Sequence, residues 1–183
     1  MQNNTWHPFI RGQHWLTVLL MLLCLVAVWS HEAFEKSDPL RAQLMQLHFL
    51  SGGLVGLLTL SRVLTRQWTT APTHNMPATL KSLAKAGHIG LYGLMALLPI
   101  LGFVAVSGKG QVIDLLGLFQ LDPLPIDKTL AKGIKKIHEG LANGLIVLIA
   151  LHIGAALCHA LLFKDKVLDA MLGKSTVKLP SAE

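Results

Sequence analysis

The sequence predicts an all-α integral membrane protein, built as a bundle of four transmembrane helices. Of its 183 residues, 52% are hydrophobic and only 14% are charged, whereas soluble domains carry about 25% charged residues. The mean hydropathy is +0.52, and four apolar runs alternate with connectors rich in Lys, Arg and Pro. These observations predict one membrane domain over residues 1–183, with no large part outside the bilayer.

Each apolar run is long enough for a helix that crosses the hydrocarbon core, which takes about 17 to 25 residues. Trp15 and Trp29 flank the first run, at the depth where aromatic side chains meet lipid headgroups. Asp38 and Pro39 suit the start of the second helix. Pro99 lies inside the third run, where membrane helices tolerate a kink. The predicted spans are residues 14–30, 43–61, 87–106 and 137–163.

The connectors carry most of the charge and set the expected orientation. The net charge is +6, and the Lys and Arg residues stand between apolar runs without interleaved aromatics. This placement predicts contact with lipid headgroups and no nucleic-acid partner. The side that holds both termini carries the larger share of the 16 Lys and Arg residues, so we expect both termini in the cytoplasm. The apolar segment from Val112 to Leu121 is too short to span, and we expect it at the interface.

Five histidines lie at two depths of the predicted bundle. His138 and His152 are 14 residues apart on the fourth span. This distance is almost four turns, so both imidazoles leave the helix on nearly the same face, about 21 Å apart along its axis. Because successive spans alternate in direction, His48 is level with His138 on the outer side. His14 and His88 are level with His152 on the inner side.

Imidazoles that meet at two depths of a membrane are typical of haem b sites. Ionisable side chains inside a bilayer are costly and usually functional, and a low-spin haem takes one imidazole on each face, from helices on opposite sides of the ring. Small residues such as Gly52 would let the ring approach a helix, and cations such as Arg62 and Arg66 would suit its propionates. Zinc is the alternative, but it prefers three or four ligands that converge on one point. We therefore expect two b haems, with the inner partner of His152 left open between two histidines.

Several short motifs follow one another in a characteristic order through the four spans. They are His14-Trp15, His48 with Ser51-Gly52, Gly87-His88, Pro99 with Gly102, and His138-Glu139-x-Leu141-Ala142-Asn143 followed by Leu151-His152. Over residues 11–165 this pattern is very similar to bacterial cytochrome b561, the small four-helix di-haem quinone oxidoreductase of the inner membrane. It also resembles the cytochrome b subunits that anchor hydrogenases and formate dehydrogenases.

The resemblance implies a location and residue roles. It implies a bacterial inner-membrane protein in which His48 and His138 hold an outer haem. His14 and His152 would hold an inner haem, which leaves His88 for quinone binding or a propionate contact. The quinone candidates on the inner side, chosen from position alone, are His88, Arg62 and Arg66.

The resemblance also implies an activity, namely superoxide oxidation coupled to ubiquinone reduction by a membrane haem oxidoreductase. Lysines near His138 would form a positive funnel, because a fixed positive field raises the encounter rate of a small anion, although such lysines can equally serve topology. The candidate guides are Lys109, Lys132, Lys135 and Lys136. The expected partners are membrane lipid, quinone and a small anionic outer substrate, and the expected state is a monomer or a weak homodimer.

Two other functions fit parts of the pattern. One is a non-catalytic anchor subunit that relays electrons between a partner dehydrogenase and quinone. The short connectors and short tail leave little surface for a large partner, which favours a self-contained oxidoreductase. The other is a metal transporter that uses histidines, and an absorption spectrum with a reduced b-type α-band would exclude it.

Overall fold

The computed structural model describes residues 5–72, 77–110, 112–165 and 167–174, and it is helical along most of this length. Four of its helices are long and apolar enough to cross a membrane. They are α1 (Pro8–Ser30), α2 (Pro39–Thr65), α3 (Ala78–Ser107) and α4 (Lys128–Cys158). The predicted all-α class with four long apolar helices is confirmed. We name the inner and outer ends of the helices according to the predicted orientation.

The helices extend beyond the predicted apolar spans because capping groups continue them into polar sequence. At the start of α2, the Asp38 carboxylate accepts a hydrogen bond from the Leu40 N–H at 2.8 Å. At the start of α4, Asp127 accepts from the N–H groups of Thr129 and Leu130 at 2.8 and 3.1 Å. Such caps satisfy N–H groups that have no partner within the helix. As a result, α4 begins nine residues before the predicted span of residues 137–163.

The helices pack mainly as two pairs, α1 with α2 and α3 with α4, and α2 joins the pairs through α3. A buried cluster of Leu91, Leu98 and Leu145 lies between α3 and α4. Between α2 and α3, the ring of Pro99 lies against Gly56, where an added Cβ would be 3.1 Å from Pro99 Cγ. Small residues at such contacts let membrane helices approach closely.

Large apolar side chains on the outside of the bundle are exposed, as expected for side chains that lipid covers. On α1, for example, Leu19, Leu22 and Val26 are 54%, 56% and 55% exposed. In a water-soluble protein such a belt would be an aggregation hazard. Inside a bilayer it is the surface that the hydrocarbon contacts.

The connectors add short elements at both ends. On the outer side, β1 (Ile113–Asp114) pairs antiparallel with β2 (Gln120–Leu121), so the segment that we expected at the interface forms a small hairpin. On the inner side, α4 continues into one π-helical turn (His159–Phe163), and α5 (Val167–Leu172) follows. The N–H of Trp6 donates to the carbonyl of Ala170 at 3.2 Å, which holds α5 against the start of α1.

Candidate functional site

Two histidines face each other between the outer halves of α2 and α4. The ring centroids of His48 and His138 are 6.5 Å apart, and the ring planes make an angle of 81°. Each Nδ1 atom lies 3.0 Å from a backbone carbonyl oxygen, that of Cys24 for His48 and that of Leu98 for His138. A carbonyl only accepts hydrogen bonds, so Nδ1 carries the proton in both rings. The Nε2 atoms therefore keep the lone pair that a metal ligand needs.

The neighbouring helices hold these two rings closely. On the α1 side, Cys24 Sγ lies 3.2 Å from Nδ1 of His48, and a Cβ at Gly52 would lie 3.6 Å from the same sulfur. On the α3 side, a Cβ at Gly102 would lie 3.3 Å from Cε1 of His138. Gly52 was expected to make room for a flat cofactor. In the structure its missing Cβ faces the thiol of Cys24, one turn of α2 beyond His48.

Three histidines converge between the inner halves of α1, α3 and α4. The ring centroids of His14 and His152 are 6.4 Å apart at 69°, and those of His88 and His152 are 5.4 Å apart at 78°. Nδ1 of His88 lies 2.7 Å from the carbonyl oxygen of Ala84, so its Nε2 is also free of a proton. Both histidines that the sequence left as partners of His152 therefore lie beside it.

Arg62 extends from α2 into this inner cluster. Its Nη1 lies 3.0 Å from Nδ1 of His14, and its Cζ lies 5.9 Å from the ring centre of Tyr92. Its Nε is buried and has no hydrogen-bond partner among the residues that the structure describes. A buried guanidinium is stable only when its charge and N–H groups are matched. An anionic group in the cluster, such as a haem propionate, would supply that match.

A polar contact between α1 and α2 fixes the place of His14 and Arg62. The Gln13 amide donates to Ser61 Oγ at 2.8 Å and accepts from Thr65 Oγ1 at 3.0 Å. Gln13 is only 6% exposed, so both ends of its amide need these partners. Because Gln13 precedes His14 and Ser61 precedes Arg62, the contact sets the register of the two helices at the inner cluster.

The spacing of two of the histidine pairs would suit imidazoles that hold one iron between them. A nitrogen ligand lies about 2 Å from the metal and roughly 1 Å from its own ring centre, so opposed imidazoles have centroids about 6 Å apart. The pairs His48–His138 and His14–His152 have centroids 6.5 and 6.4 Å apart. His88 is closer to His152 than this geometry requires. Within residues 5–72, 77–110, 112–165 and 167–174, no three His, Cys, Asp or Glu side chains are grouped around one metal position.

The other predicted site residues lie at the two ends of the bundle. Arg66 lies over the ring of Trp6, with Cζ 5.1 Å from its centroid. At the outer end, Lys135 Nζ forms an ion pair with Glu139 Oε1 at 2.9 Å. The remaining candidate guides for an anion are exposed, and they are Lys109, Lys132 and Lys136.

Sequence reasoning missed four residues that shape these clusters. Two of them, Cys24 and Leu98, act through backbone carbonyls, which no side-chain pattern reveals. Tyr92 is the only tyrosine and stands one turn after His88. That spacing puts both on one face of a helix and was a usable signal. Gln13, a polar residue at the start of an apolar run, was another.

Comparison with known proteins agrees with this architecture. The pattern that defines the family described as prokaryotic cytochrome b561 matches residues 5–174. The chain is 32% identical to cytochrome b561 homolog 1 of Escherichia coli strain K12, over 87% of this chain and 92% of that protein. It is 30% identical to a "probable superoxide oxidase CybB" of Yersinia pestis, over 89% and 93% of the two chains. A second protein of Escherichia coli strain K12, cytochrome b561 homolog 2, is 30% identical over 89% and 88%.

The matched residues include all four long helices and both histidine clusters, so the similarity covers the whole bundle. It confirms the resemblance seen in the sequence and favours electron transfer over histidine-based metal transport. It also implies a b-type haem. The chain belongs to the prokaryotic cytochrome b561 family of membrane electron-transfer proteins.

Proposed function

We propose that the protein transfers electrons across a bacterial inner membrane, from superoxide on the outer side to ubiquinone on the inner side. The observation that carries the proposal is the pair of facing imidazoles at each of two depths, with centroid distances of 6.5 and 6.4 Å. One helix, α4, contributes to both pairs. The fourteen residues between its two histidines correspond to about 21 Å of helix, most of the thickness of the hydrocarbon core.

Two b haems, when bound, would supply one-electron chemistry on each side of the membrane. His48 and His138 would hold the outer haem through Nε2, because their Nδ1 protons are held by carbonyls. His14 and His152 would hold the inner haem. In the neutral His14 ring, Nδ1 accepts from Arg62 and the proton lies on Nε2. His14 can therefore bind iron through Nε2 only when Arg62 turns to another partner, such as a propionate.

The outer substrate is proposed to be superoxide. Two superoxide anions each lose one electron and leave as dioxygen, while one ubiquinone takes up two electrons and two protons and becomes ubiquinol. Two features support superoxide. A relative that is 30% identical carries the name "probable superoxide oxidase", and exposed lysines surround the start of α4.

The lysines would act by field rather than by contact with a reacting atom. Lys132 and Lys136 are exposed on the first turns of α4, where the positive end of the helix dipole adds to their charge. Lys109 follows the end of α3 on the same side of the bundle. The charge of Lys135 is partly offset by its ion pair with Glu139. The field of the group would therefore come mainly from Lys109, Lys132 and Lys136.

Ubiquinone is proposed to bind at the inner cluster. His88 and Arg62 both lie in this cluster, whereas Arg66 lies against Trp6. Since Nδ1 of His88 already donates to the carbonyl of Ala84, the ring can donate to a quinone oxygen only when Nε2 is also protonated. Protonated His88 would then be a source of one of the protons that ubiquinol requires.

The test begins with the purified chain. Its reduced spectrum should show a b-type α-band, and haem analysis should give two haems per chain. A superoxide pulse should then reduce the haems in the absence of quinone and yield ubiquinol when quinone is bound. If superoxide reduced the haems of the parent protein no faster than those of His48→Ala, the oxidase activity would be excluded. Two haems that are reduced only by a partner dehydrogenase would instead identify an anchor subunit.

A further inference from the structure

One polar side chain of α1 touches a proposed iron ligand. The thiol of Cys24, on α1, lies 3.2 Å from Nδ1 of His48 on α2. The same sulfur lies 3.7 Å from the carbonyl oxygen of His48. The side chain is buried, with 8% of its surface exposed. Sulfur is a weak acceptor and S–H a weak donor, so the thiol can accept from the ring and donate to the carbonyl of the same residue.

The two outer histidines differ in this respect. Among the residues that the structure describes, His138 has one acceptor at Nδ1, the carbonyl of Leu98. His48 has two, the carbonyl of Cys24 at 3.0 Å and the thiol of Cys24 at 3.2 Å. One residue of α1 therefore meets the imidazole with both its backbone and its side chain. The thiol also lies beside Gly52, so the turn of α2 between His48 and Gly52 packs against the sulfur.

We propose that Cys24 is a positioning residue that sets the reduction potential of the outer haem through His48. The inference rests on the proposed function, since it requires His48 to be an axial ligand. A hydrogen bond accepted from the far nitrogen of a ligating imidazole fixes the ring and makes it a stronger electron donor. Hydrogen bonding around the ligand is one of the means by which a protein adjusts haem potential. A stronger acceptor at position 24 favours the oxidised iron, and the loss of that acceptor favours the reduced iron.

The test compares two variants of similar size. Cys24→Ser replaces a weak acceptor by a stronger one, and Cys24→Ala removes the side-chain acceptor but keeps the backbone carbonyl. We expect the outer potential to fall in the serine variant and to rise in the alanine variant. Each shift should be up to about tenfold in the reduction equilibrium constant, or about 59 mV for a one-electron couple. The inner potential should stay constant. Cys158→Ser, at the exposed second cysteine, should change neither haem.

A spectroscopic redox titration of the holoprotein gives both potentials, and haem analysis gives the occupancy. Two bound haems with unchanged potentials in both variants would overturn the role of Cys24 and leave the proposed function standing. Equal shifts of both haems would also overturn it, because a thiol at the outer ligand should act on one haem only. Loss of both haems in the serine and alanine variants would show that Cys24 serves helix packing instead. If the parent protein did not bind two haems per chain, the proposed function itself would be contradicted.

Discussion

The Nδ1 atom of His138 lies 3.0 Å from the backbone carbonyl oxygen of Leu98, a residue 40 positions earlier in the chain. A histidine on α4 is thus oriented by a carbonyl of α3. The residue after Leu98 is Pro99, which has no N–H. The proline in α3 lies against Gly56 of α2. The third helix therefore contacts both helices that carry the proposed outer ligands, although it supplies no proposed ligand itself.

Gly102 tests this role of α3. A Cβ at Gly102 would lie 3.3 Å from Cε1 of His138, so in Gly102→Ala the imidazole must shift by a few tenths of an ångström. We expect weaker binding and a changed spectrum of the outer haem, with the inner haem unaffected. Gly93→Ala is the matched control on the same helix, because a Cβ there meets no described residue within 4 Å. Equal haem spectra in the two variants would show that Gly102 does not constrain the ring.

The proposed outer ligands are tested by removal of each imidazole. We expect His48→Ala and His138→Ala each to lose one haem per chain and to keep the inner one, since the two clusters share no histidine. Haem analysis gives the count, and a redox titration shows which potential disappears. Two haems per chain in both variants would refute the outer assignment.

The inner site is tested by a comparison of the two histidines beside His152. From the centroid distances of 6.4 and 5.4 Å, we expect His14→Ala to lose the inner haem and His88→Ala to keep both haems. His88→Ala should lower the rate of ubiquinol formation, because it removes the proposed proton donor to the quinone. The reverse pattern of haem loss would assign the ligand role to His88.

The sequence predicted the depths of the histidines more fully than it predicted their surroundings. Periodicity places His138 and His152 on one face of a helix, and alternating span direction places His48 opposite His138. Both depend only on helix geometry. The acceptors at Nδ1 could not be predicted in this way. They depend on how closely α1 packs on α2 and how closely α3 packs on α4, and any residue type supplies a carbonyl.

The choice of inner partner shows the same limit. Depth counting put His14 and His88 at one level, and the structure places both beside His152. The distance between ring centroids depends on side-chain rotamers and on the rotation of each helix about its axis. The spacing of residues in the sequence reveals neither. The contact of Arg62 with His14 likewise depends on the register that Gln13 sets with Ser61.

The start of α4 should respond to acid through Asp127. The N–H groups of Leu130 and Thr129 favour its carboxylate and hold the pKa of Asp127 below its ordinary value of 3.8. Because the pKa is lower in the folded state, the Asp127 carboxylate stabilises the first turn at pH values above the ordinary pKa. This stabilisation is lost as the pH falls through the lowered pKa. Hydrogen exchange of this turn, corrected for intrinsic rates, should show protection at pH 6 that is lost progressively as the pH falls below 3.8. Asp127→Asn should remove most of this pH dependence, and Asp127→Ala should leave the turn poorly protected over the same pH range.

The lysines around the outer site give the sharpest test of an anionic substrate. Replacing Lys109, Lys132 and Lys136 together by Gln should lower the rate constant of haem reduction by superoxide roughly tenfold at low salt. The salt dependence of this rate constant should also become weaker, because ions screen steering by a fixed field. Both haems should stay bound and their potentials should change little.

Two matched variants complete this test. Glu139→Gln frees Lys135 from its ion pair. It should raise the same rate at low salt, since the loss of a negative charge makes the local field more positive. Lys81→Gln with Lys174→Gln removes two exposed cations from the inner end and should leave the superoxide rate unchanged. If the outer and inner lysine variants gave equal rates, the outer lysines would serve only the topology of the helices. If Glu139→Gln lowered the rate, the field explanation would be wrong, because the sign of the effect follows directly from the sign of the charge.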